Sequence, residues 1–309
     1  MSSYSPALEY FCQRMEGLSV GLFRLESQNQ TSNIQPQSII RFTLPSNALV
    51  DMHSFAFQFN AQTSAGGGAS GVVAIRLPNK IESMINRVEV SVGGVAVSAG
   101  SNFYNVLCHA KEVLDRSQDD AGMNHPEIIT SGANNNYVDS VGLTTAEQPS
   151  SVAGQAQFTV DKWQGFLSEC EPRVLDTSLM GDVVISLYLE QPNLCLTTSD
   201  GVATNALFTT AAALAGMPTL SYTLNNVYAT VRCYSLANGV YDNMIAEQMS
   251  RSGALEVGFK QYFAFRDNNT GSSRWTVATQ SLDRVIVAHH AVVAPTGATG
   301  CPISVVGYN

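Results

Sequence analysis

Residues 83–97 read SMINRVEVSVGGVAV, and this stretch decides the class of fold. From residue 88 to residue 92 valines alternate with polar residues, an alternation that points apolar and polar side chains to opposite faces of a strand. Gly93-Gly94 follows, and the alternation resumes at Val95 and Val97. Two glycines between alternating runs are typical of a hairpin with a primed turn. The stretch therefore predicts two antiparallel strands, each with one buried face.

The same period of two recurs along the chain. Phe55, Phe57 and Phe59 are separated by smaller or polar residues. Apolar residues recur at alternate positions in four further runs: Val73-Ile75-Leu77, Val183-Ile185-Leu187-Leu189, Val227-Ala229-Val231-Cys233, and Leu255-Val257-Phe259 continuing, past Gln261, to Phe263 and Phe265. Half-buried antiparallel strands account for all of these runs.

Helical spacing is limited to three short places. Behind Pro6, a favoured first-turn residue, the residues Leu8, Phe11, Met15 and Leu18 follow helical spacing. A clean apolar stripe runs from Phe103 to Leu114. A weaker helix is predicted over Val240–Ser250, closed by Gly253. The sequence thus predicts an all-β chain with a few short helices.

The composition sets the size and the kind of surface. The chain has 309 residues, of which 45% are hydrophobic and 13% are charged. A domain spans roughly 100–200 residues, so the length predicts two domains, or else one large β domain. The apolar content is too high for a chain that is mainly disordered. The charged fraction is about half the usual ~25%, which favours a surface that neighbouring molecules cover.

The balance of charge opposes one class of partner. Sixteen basic residues face 25 acidic ones, for a net charge of −9. Phosphate binding depends on Lys and Arg that displace counterions, and the sequence contains no basic cluster. We therefore expect no direct contact with nucleic acid.

Two polar stretches, residues 116–155 and 193–218, lack any periodicity. Structureless loops of this length inside a compact domain are usually functional. The second stretch separates a block of strands that ends at Glu190 from another that begins near Tyr222, so we place a domain boundary there. The predicted organisation is an N-terminal amphipathic helix or arm over residues 1–18, a first β domain over 19–192, and a linker loop with a second β domain over 193–309.

The cysteines and the N-terminus indicate the compartment. The six cysteines, at positions 12, 108, 170, 195, 233 and 301, lie far apart and form no CxxC pair. This spacing fits neither a metal site nor a dense disulfide framework. The N-terminus lacks the basic and apolar regions of a signal peptide. We expect folding in the reducing cytoplasm with six free thiols, and no apolar run reaches the ~18 residues of a membrane span.

Motifs for catalysis or cofactor binding are weak. Residues 66–71 satisfy the GxGxxG pattern, but an alternating strand follows the glycines where a dinucleotide site needs a helix. The five histidines lack metal-ligand spacing, and no Gly-x-Ser-x-Gly motif occurs. Cys108 and His109 are neighbours on a predicted helix, so their side chains point about 100° apart. We expect no enzyme activity, no cofactor and no metal site.

Two segments carry a resemblance to a known family. Residues 83–94 (SMINRVEVSVGG) and 172–185 (PRVLDTSLMGDVVI), behind an amphipathic N-terminal helix, resemble the major capsid proteins of the double jelly-roll viral lineage. That lineage includes adenovirus hexon and the tailless phages with an internal membrane. The chain length resembles the smaller phage members, and a lipid-containing phage of Flavobacterium is the nearest match we identify. The resemblance covers most of residues 1–192 and continues more weakly through Leu282–Val287, which repeats the pattern of Ile85–Val90.

The resemblance implies an architecture. It implies two eight-stranded jelly-roll β-barrels side by side, one in residues 19–192 and the other in 193–309. About 90 residues follow Tyr222, fewer than the first barrel uses. The second barrel is therefore compact, or draws on residues 194–218, or the sequence stops short of the full chain.

The resemblance also implies a function. It implies a structural viral major capsid protein whose pseudo-hexagonal homotrimers tile an icosahedral shell over an internal lipid membrane. Its partners would be neighbouring capsomers and penton or minor capsid proteins, and its place would be the virion after synthesis in the host cytoplasm. Leu8, Phe11 and Met15 would face the particle interior or the membrane. The helical spacing of these residues predicts that they share one face of a helix, and the family resemblance implies that this face lies towards the particle interior.

A ligand-binding β-sandwich of the lectin-like kind is the competing interpretation. Such a module would expose clustered aromatic side chains on a concave face. Trp163 and Trp275 are the two tryptophans of the chain, and neither lies in an aromatic cluster of the sequence.

Overall fold

A computed structural model gives the fold. It describes residues 19–28, 33–63, 74–76, 81–98, 103–115, 156–192, 197–199 and 221–235, and, nearer the C-terminus, residues 245–247, 249–251, 253, 256–265, 274–277 and 281–287. The predicted N-terminal helix, the glycines at 66–71, the loop 116–155 and most of the loop 193–218 lie outside the described residues.

The described part is built mostly from strands. In chain order these are β1 (Ser19–Glu26), β2 (Ile39–Thr43), β3 (Leu49–Thr63), β4 (Ala74–Arg76), β5 (Ile85–Val92), β6 (Val95–Ser98), β7 (Ala156–Val160), β8 (Val174–Asp176), β9 (Val183–Leu189), β10 (Thr197–Ser199) and β11 (Tyr222–Ser235). A 3-10 helix at Ile81–Met84, α1 (Tyr104–Asp115) and α2 (Phe166–Glu169) accompany them. The all-β class with a few short helices is therefore confirmed.

Eight of these strands pair from the outside inwards. β1 pairs with β11, β2 with β9, β3 with β7 and β5 with β6, all antiparallel. Pairs nested in this way correspond to one long hairpin, in which the first strand lies beside the last and the two middle strands lie beside each other. Two further antiparallel pairings, β11 with β3 and β9 with β5, fold that hairpin over into two sheets, ordered β1-β11-β3-β7 and β2-β9-β5-β6. This is the strand arrangement of a jelly roll.

The remaining described strands are additions to this frame. β8 pairs with the start of β3, opposite Leu49–Asp51. β4 and β10 form a separate two-stranded ribbon. The short run predicted around Ile75 is thus a strand, but it lies outside the two main sheets.

The core lies between the two sheets. Phe42 of β2 meets Phe55 and Phe57 of β3 edge to face, with ring centroids 6.0 and 5.9 Å apart. Both sheets supply the buried residues of a single apolar cluster, because each strand turns its apolar face inwards. Burying one such large side chain contributes about 1.5–3 kcal/mol of hydrophobic free energy.

The hairpin predicted from residues 88–97 is present. Gly93 and Gly94 have φ angles of 57° and 82°, and Val92 lies opposite Val95 across the turn. Both angles lie in the left-handed region that glycine adopts without strain, as a primed turn requires. The strand pair and its turn are therefore confirmed.

The predicted helix at 103–114 is also confirmed as α1. A buried carboxylate ties this helix to the sheets, since Glu190 Oε2 accepts hydrogen bonds from the side-chain amides of Asn86 (2.8 Å) and Asn105 (3.1 Å). The Tyr104 hydroxyl accepts a bond from the Gln164 amide at 2.9 Å. These contacts hold α1 against β5 and next to the residues that precede α2.

The predicted boundary at residue 193 is corrected by β11. This strand, assigned from the sequence to the second domain, lies between β1 and β3 of the first one and is the closing strand of the jelly roll. Its alternation identifies a strand but not the sheet that receives it. The partners are long-range: Phe23 lies opposite Val231, and Phe57 lies opposite Ala229.

The C-terminal part departs from the prediction in a second way. Strands were predicted over Leu255–Phe265 and Val285–Val287, but in the described residues 256–265 and 281–287 the chain joins no ladder longer than one bridge, between Gly258 and Glu171. Residues 245–247 and 249–251 are helical, and the Gly253 amide donates to the Met249 carbonyl at 2.8 Å, as predicted for a helix that ends at this glycine. A second jelly roll in this half stays a prediction.

Candidate functional site

Side chains that could bind a metal are the first candidates for a site. In the part of the chain that the structure describes, no three residues among His, Cys, Asp and Glu are grouped as metal ligands would be. His53 lies with its Nε2 atom 3.3 Å from the Cys170 carbonyl oxygen. His125, His289 and His290 lie outside the described residues, as do Leu8, Phe11 and Met15, so the predicted interior-facing surface is not tested.

The two tryptophans have different surroundings. Trp163 is buried in the core, where its indole N–H donates to the Phe55 carbonyl at 2.7 Å and its ring packs on Phe55. Trp275 is exposed. Trp163 therefore serves packing and is not available for stacking on a ligand.

Exposed apolar side chains follow the edge strand β1. Val20, Leu22 and Phe23 are all exposed, and Leu22 is 72% accessible. β1 lies at the end of the sheet order, with β11 on one side. A row of exposed apolar residues on a sheet edge is a surface suited to pairing or packing with another chain.

A second exposed apolar group lies in the C-terminal segments. Its members are Phe263, Phe265, Trp275, Val277, Leu282, Val285 and Val287. Val257 and Phe259, which share the period-two face of Phe263 and Phe265, pack against the jelly-roll core. One end of this face is therefore covered by the jelly roll and the other end is not.

The covered end is held by backbone and ring contacts. The Glu171 amide donates to the Gly258 carbonyl at 2.7 Å, and the Gly258 amide donates back to the Glu171 carbonyl at 2.8 Å. One residue further on, the Phe259 ring meets the Phe166 ring of α2 edge to face, with centroids 5.1 Å apart.

A polar cluster adjoins these contacts. The Lys111 ammonium of α1 donates to Glu169 Oε1 of α2 (3.0 Å) and to the Tyr262 hydroxyl oxygen (2.9 Å), and that hydroxyl lies 2.9 and 3.0 Å from the two Glu169 carboxylate oxygens. The Lys111 and Glu169 side chains are 14% and 22% exposed. The three groups form a closed, half-buried ring of hydrogen bonds.

The environment shifts the pKa of two of these groups. Burial by itself would lower the pKa of Lys111, but the bonds to Tyr262 and Glu169 outweigh it, so this pKa is raised. Burial raises the pKa of Tyr262, and the neighbouring Glu169 carboxylate acts in the same direction, against Lys111. Both groups therefore keep their protons at neutral pH.

Sequence reasoning identified little of this junction. Lys111 lies among the polar residues of the predicted helix, whereas Glu169 and Tyr262 carry no recognisable signal in the sequence. The three residues are 58 and 93 positions apart along the chain, and no local pattern connects residues at that separation.

Comparison with known proteins gives structural likenesses of low similarity. No family model matches the chain, and no curated protein matches it. The Faustovirus major capsid protein is similar with a TM-score of 0.43 and 10% identity, over 75% of this chain and 57% of that one. The PBCV-1 virus capsid, as a quasi-atomic model, gives a TM-score of 0.37 and 15% identity, over 68% of this chain and 42% of that one.

A further likeness is to the crystal structure of PBCV-1 VP54 fitted into a reconstruction of the virophage Sputnik. It has a TM-score of 0.37 and 14% identity, over 68% of this chain and 42% of that one. The chain thus spans about half the length of these structures. The jelly roll is identified by the order and pairing of its own strands. Separately, none of the described helices is both long and apolar enough to cross a membrane.

Proposed function

We propose that the protein is a structural viral capsid protein, the major building block of a shell, and not an enzyme. The observation that carries the proposal is a complete jelly roll that leaves apolar side chains exposed on its edge strand β1 and in residues 263–265, 274–277 and 281–287. Jelly rolls are the fold of many capsid subunits, and exposed apolar surface on a folded domain marks contact with other proteins.

The composition supports the same proposal. A subunit that is surrounded by copies of itself needs few charges, and 13% charged residues is a low fraction. The net charge of −9 opposes contact with a genome, which agrees with a membrane lying between shell and nucleic acid.

The finer architecture is also a proposal. We assign a second jelly roll to the residues that follow β11, and a trimer of such two-barrel subunits, pseudo-hexagonal in outline, as the unit that tiles the shell. Three two-barrel subunits present six similar corners, and closed rotational symmetry satisfies their mutual contacts. Neighbouring capsomers and penton or minor capsid proteins would be the partners within the virion, after synthesis in the host cytoplasm.

The N-terminal segment completes the proposal. Leu8, Phe11 and Met15 would face the particle interior or an internal membrane, as in the tailless phages with such a membrane. The Flavobacterium phage remains the nearest lineage we propose. This assignment rests on the sequence resemblance.

Light scattering on the purified full-length protein in molar salt tests the proposed assembly. Contacts among so few charges are mostly apolar or neutral, and salt screens such contacts little. The expected mass is that of three chains. A monomer under these conditions, together with specific binding of a glycan, would contradict the proposal and favour a lectin-like module.

A further inference from the structure

Residues 256–265, which we name the strap, lie against one corner of the jelly roll. The corner is formed by Lys111 of α1, Phe166 and Glu169 of α2, and Glu171. Three kinds of contact join strap and corner: the two backbone hydrogen bonds between Glu171 and Gly258, the ring contact of Phe166 with Phe259, and the Lys111–Glu169–Tyr262 ring of hydrogen bonds.

The jelly roll does not need the strap to complete its sheets. Its eight strands are closed by β11, which ends at Ser235, and the strap follows later in the chain. Where the structure describes the strap, its backbone pairing with the jelly roll is the single bridge at Gly258. The strap is therefore bound to a finished domain through a small set of contacts.

Tyr262 has a particular position among these contacts. Lys111 and Glu169 both belong to the jelly roll, and they contact each other directly, with the ammonium nitrogen 3.0 Å from the carboxylate oxygen. The Tyr262 hydroxyl is the strap's member of the ring, accepting from the ammonium and donating to the carboxylate. Hydrogen bonds to charged groups are stronger than those between neutral groups, so this single hydroxyl contributes strongly to the binding of the strap.

We propose that the corner is a built binding site for an extended segment of the chain's own C-terminal half, and that Tyr262 decides whether the strap is docked or released. Docking at this corner would fix the direction in which the C-terminal half leaves the jelly roll. Lys260 of the strap also pairs with Asp283 at 2.9 Å, which extends the docked unit to residues 281–287. The proposal does not depend on the capsid role, because it concerns contacts within one chain.

Hydrogen exchange of the full-length protein tests this. The amides of Glu171 and Gly258 report docking, since each donates across the bridge. Tyr262→Phe keeps the ring and removes the hydroxyl, and we expect these two amides to exchange about ten times faster or more, from the strength of a hydrogen bond to a charged group. Core amides of β3 and β9 should keep their rates.

Tyr188→Phe is the matched control. Tyr188 lies on β9. Its hydroxyl is 3.1 Å from Glu89 Oε2, and its ring lies beside the Arg87 guanidinium. The control therefore removes a phenol–carboxylate contact next to a cation that includes no residue of the strap, and it should leave the Glu171 and Gly258 rates unchanged. Unchanged rates in Tyr262→Phe, or equal acceleration across the whole jelly roll, would overturn the proposal.

Lys111→Met provides the second variant. Because Lys111 and Tyr262 act in one ring, the double variant should accelerate exchange by less than the product of the two single effects. An acceleration equal to the product of the two single effects would mean that Lys111 and Tyr262 act independently. That result contradicts the proposed role of the ring of hydrogen bonds. Global unfolding of Tyr262→Phe would also contradict it, since a strap on a finished domain cannot be required for that domain to fold.

Discussion

At the scale of single residues, Gly181 shows how closely two loops approach each other. A Cβ atom at Gly181 would lie 2.8 Å from the Gly93 Cα, and the Gly93 amide donates to the Asp182 carbonyl at 2.9 Å. Gly181→Ala must push the β5–β6 turn away from this loop. We expect a loss of about 1–3 kcal/mol in the free energy of unfolding, measured by chemical denaturation.

Gly258→Ala serves as the control for that measurement. A Cβ at Gly258 would meet its nearest neighbouring atom, the Glu171 carbonyl oxygen, at 4.0 Å, an ordinary contact distance. The control should cost much less stability than Gly181→Ala. Equal losses would mean that the close approach to Gly93 is not what makes glycine necessary at position 181.

Asp51 and Arg173 form the best-placed ion pair of the jelly roll. Two hydrogen bonds of 2.6 and 2.7 Å join the guanidinium to a fully buried carboxylate, whereas the Arg173 side chain is 54% exposed. Asp51→Asn should lower the free energy of unfolding at pH 7 by about 1.5–3 kcal/mol, the range for hydrogen bonds to charged groups. Arg173 stays solvated in the variant, so the loss should not exceed this range.

The Asp51–Arg173 pair makes the free energy of unfolding depend on pH. Burial would raise the pKa of Asp51, but the hydrogen bonds and charge of Arg173 outweigh it, so this pKa lies below its ordinary value of 3.8. The stabilisation is therefore complete above pH 3.8 and is lost as the pH falls through the lowered value. Denaturation curves between pH 5 and pH 2 should show a steeper fall for the natural protein than for Asp51→Asn, and parallel falls would contradict this assignment.

The Cys170 thiol is expected to be inert in the folded protein. It is buried, and burial raises its pKa to about 11. Cys108, Cys170 and Cys233 form no disulfide within the described residues, and the other three cysteines lie outside them. Alkylation at pH 8 should spare Cys170 until denaturant is added, when six thiols should react; rapid native labelling of Cys170, or a count of four or fewer, would contradict the prediction.

At the scale of elements, the sequence predicted what depends on neighbours along the chain. The hairpin around Gly93-Gly94 and the helix α1 were both predictable, since their turn residues and spacing are local. The sheet that receives β11 was not, because its partners Phe23 and Phe57 lie about 200 and 170 residues away in the chain. The strap was predicted as a strand because its alternation is genuine, but its inner face packs on a jelly roll corner instead of in a ladder.

The strap should be sensitive to alkali. Lys111 and Tyr262 both have a raised pKa at the corner, above ordinary values of 10.5 and 10.0. Their contribution to stability is therefore complete below those values and is lost as the pH rises through the raised ones. Urea denaturation at pH 9 and pH 11.5 should show a larger loss for the natural protein than for the Lys111→Met, Tyr262→Phe double variant; equal losses would contradict the role of this ring.

At the scale of the whole molecule, exposed apolar residues lie on β1 and in residues 263–265, 274–277 and 281–287. A protein with this much exposed apolar surface and few charges is expected to associate with copies of itself. The composition predicted that property, and the family resemblance predicted the jelly roll. Only the structure locates the exposed apolar residues of β1, because their exposure depends on which strand lies at the edge of the sheet.

Electron microscopy of the purified full-length protein, with averaging of single assemblies, tests whether the chain is a two-barrel capsid subunit. We expect a trimer of pseudo-hexagonal outline with six barrel-sized lobes, two from each chain, since the residues after β11 are proposed to complete a second barrel. Isolated single-lobed particles, or a ring with one lobe for each chain, would contradict the claim that this protein is a two-barrel capsid subunit.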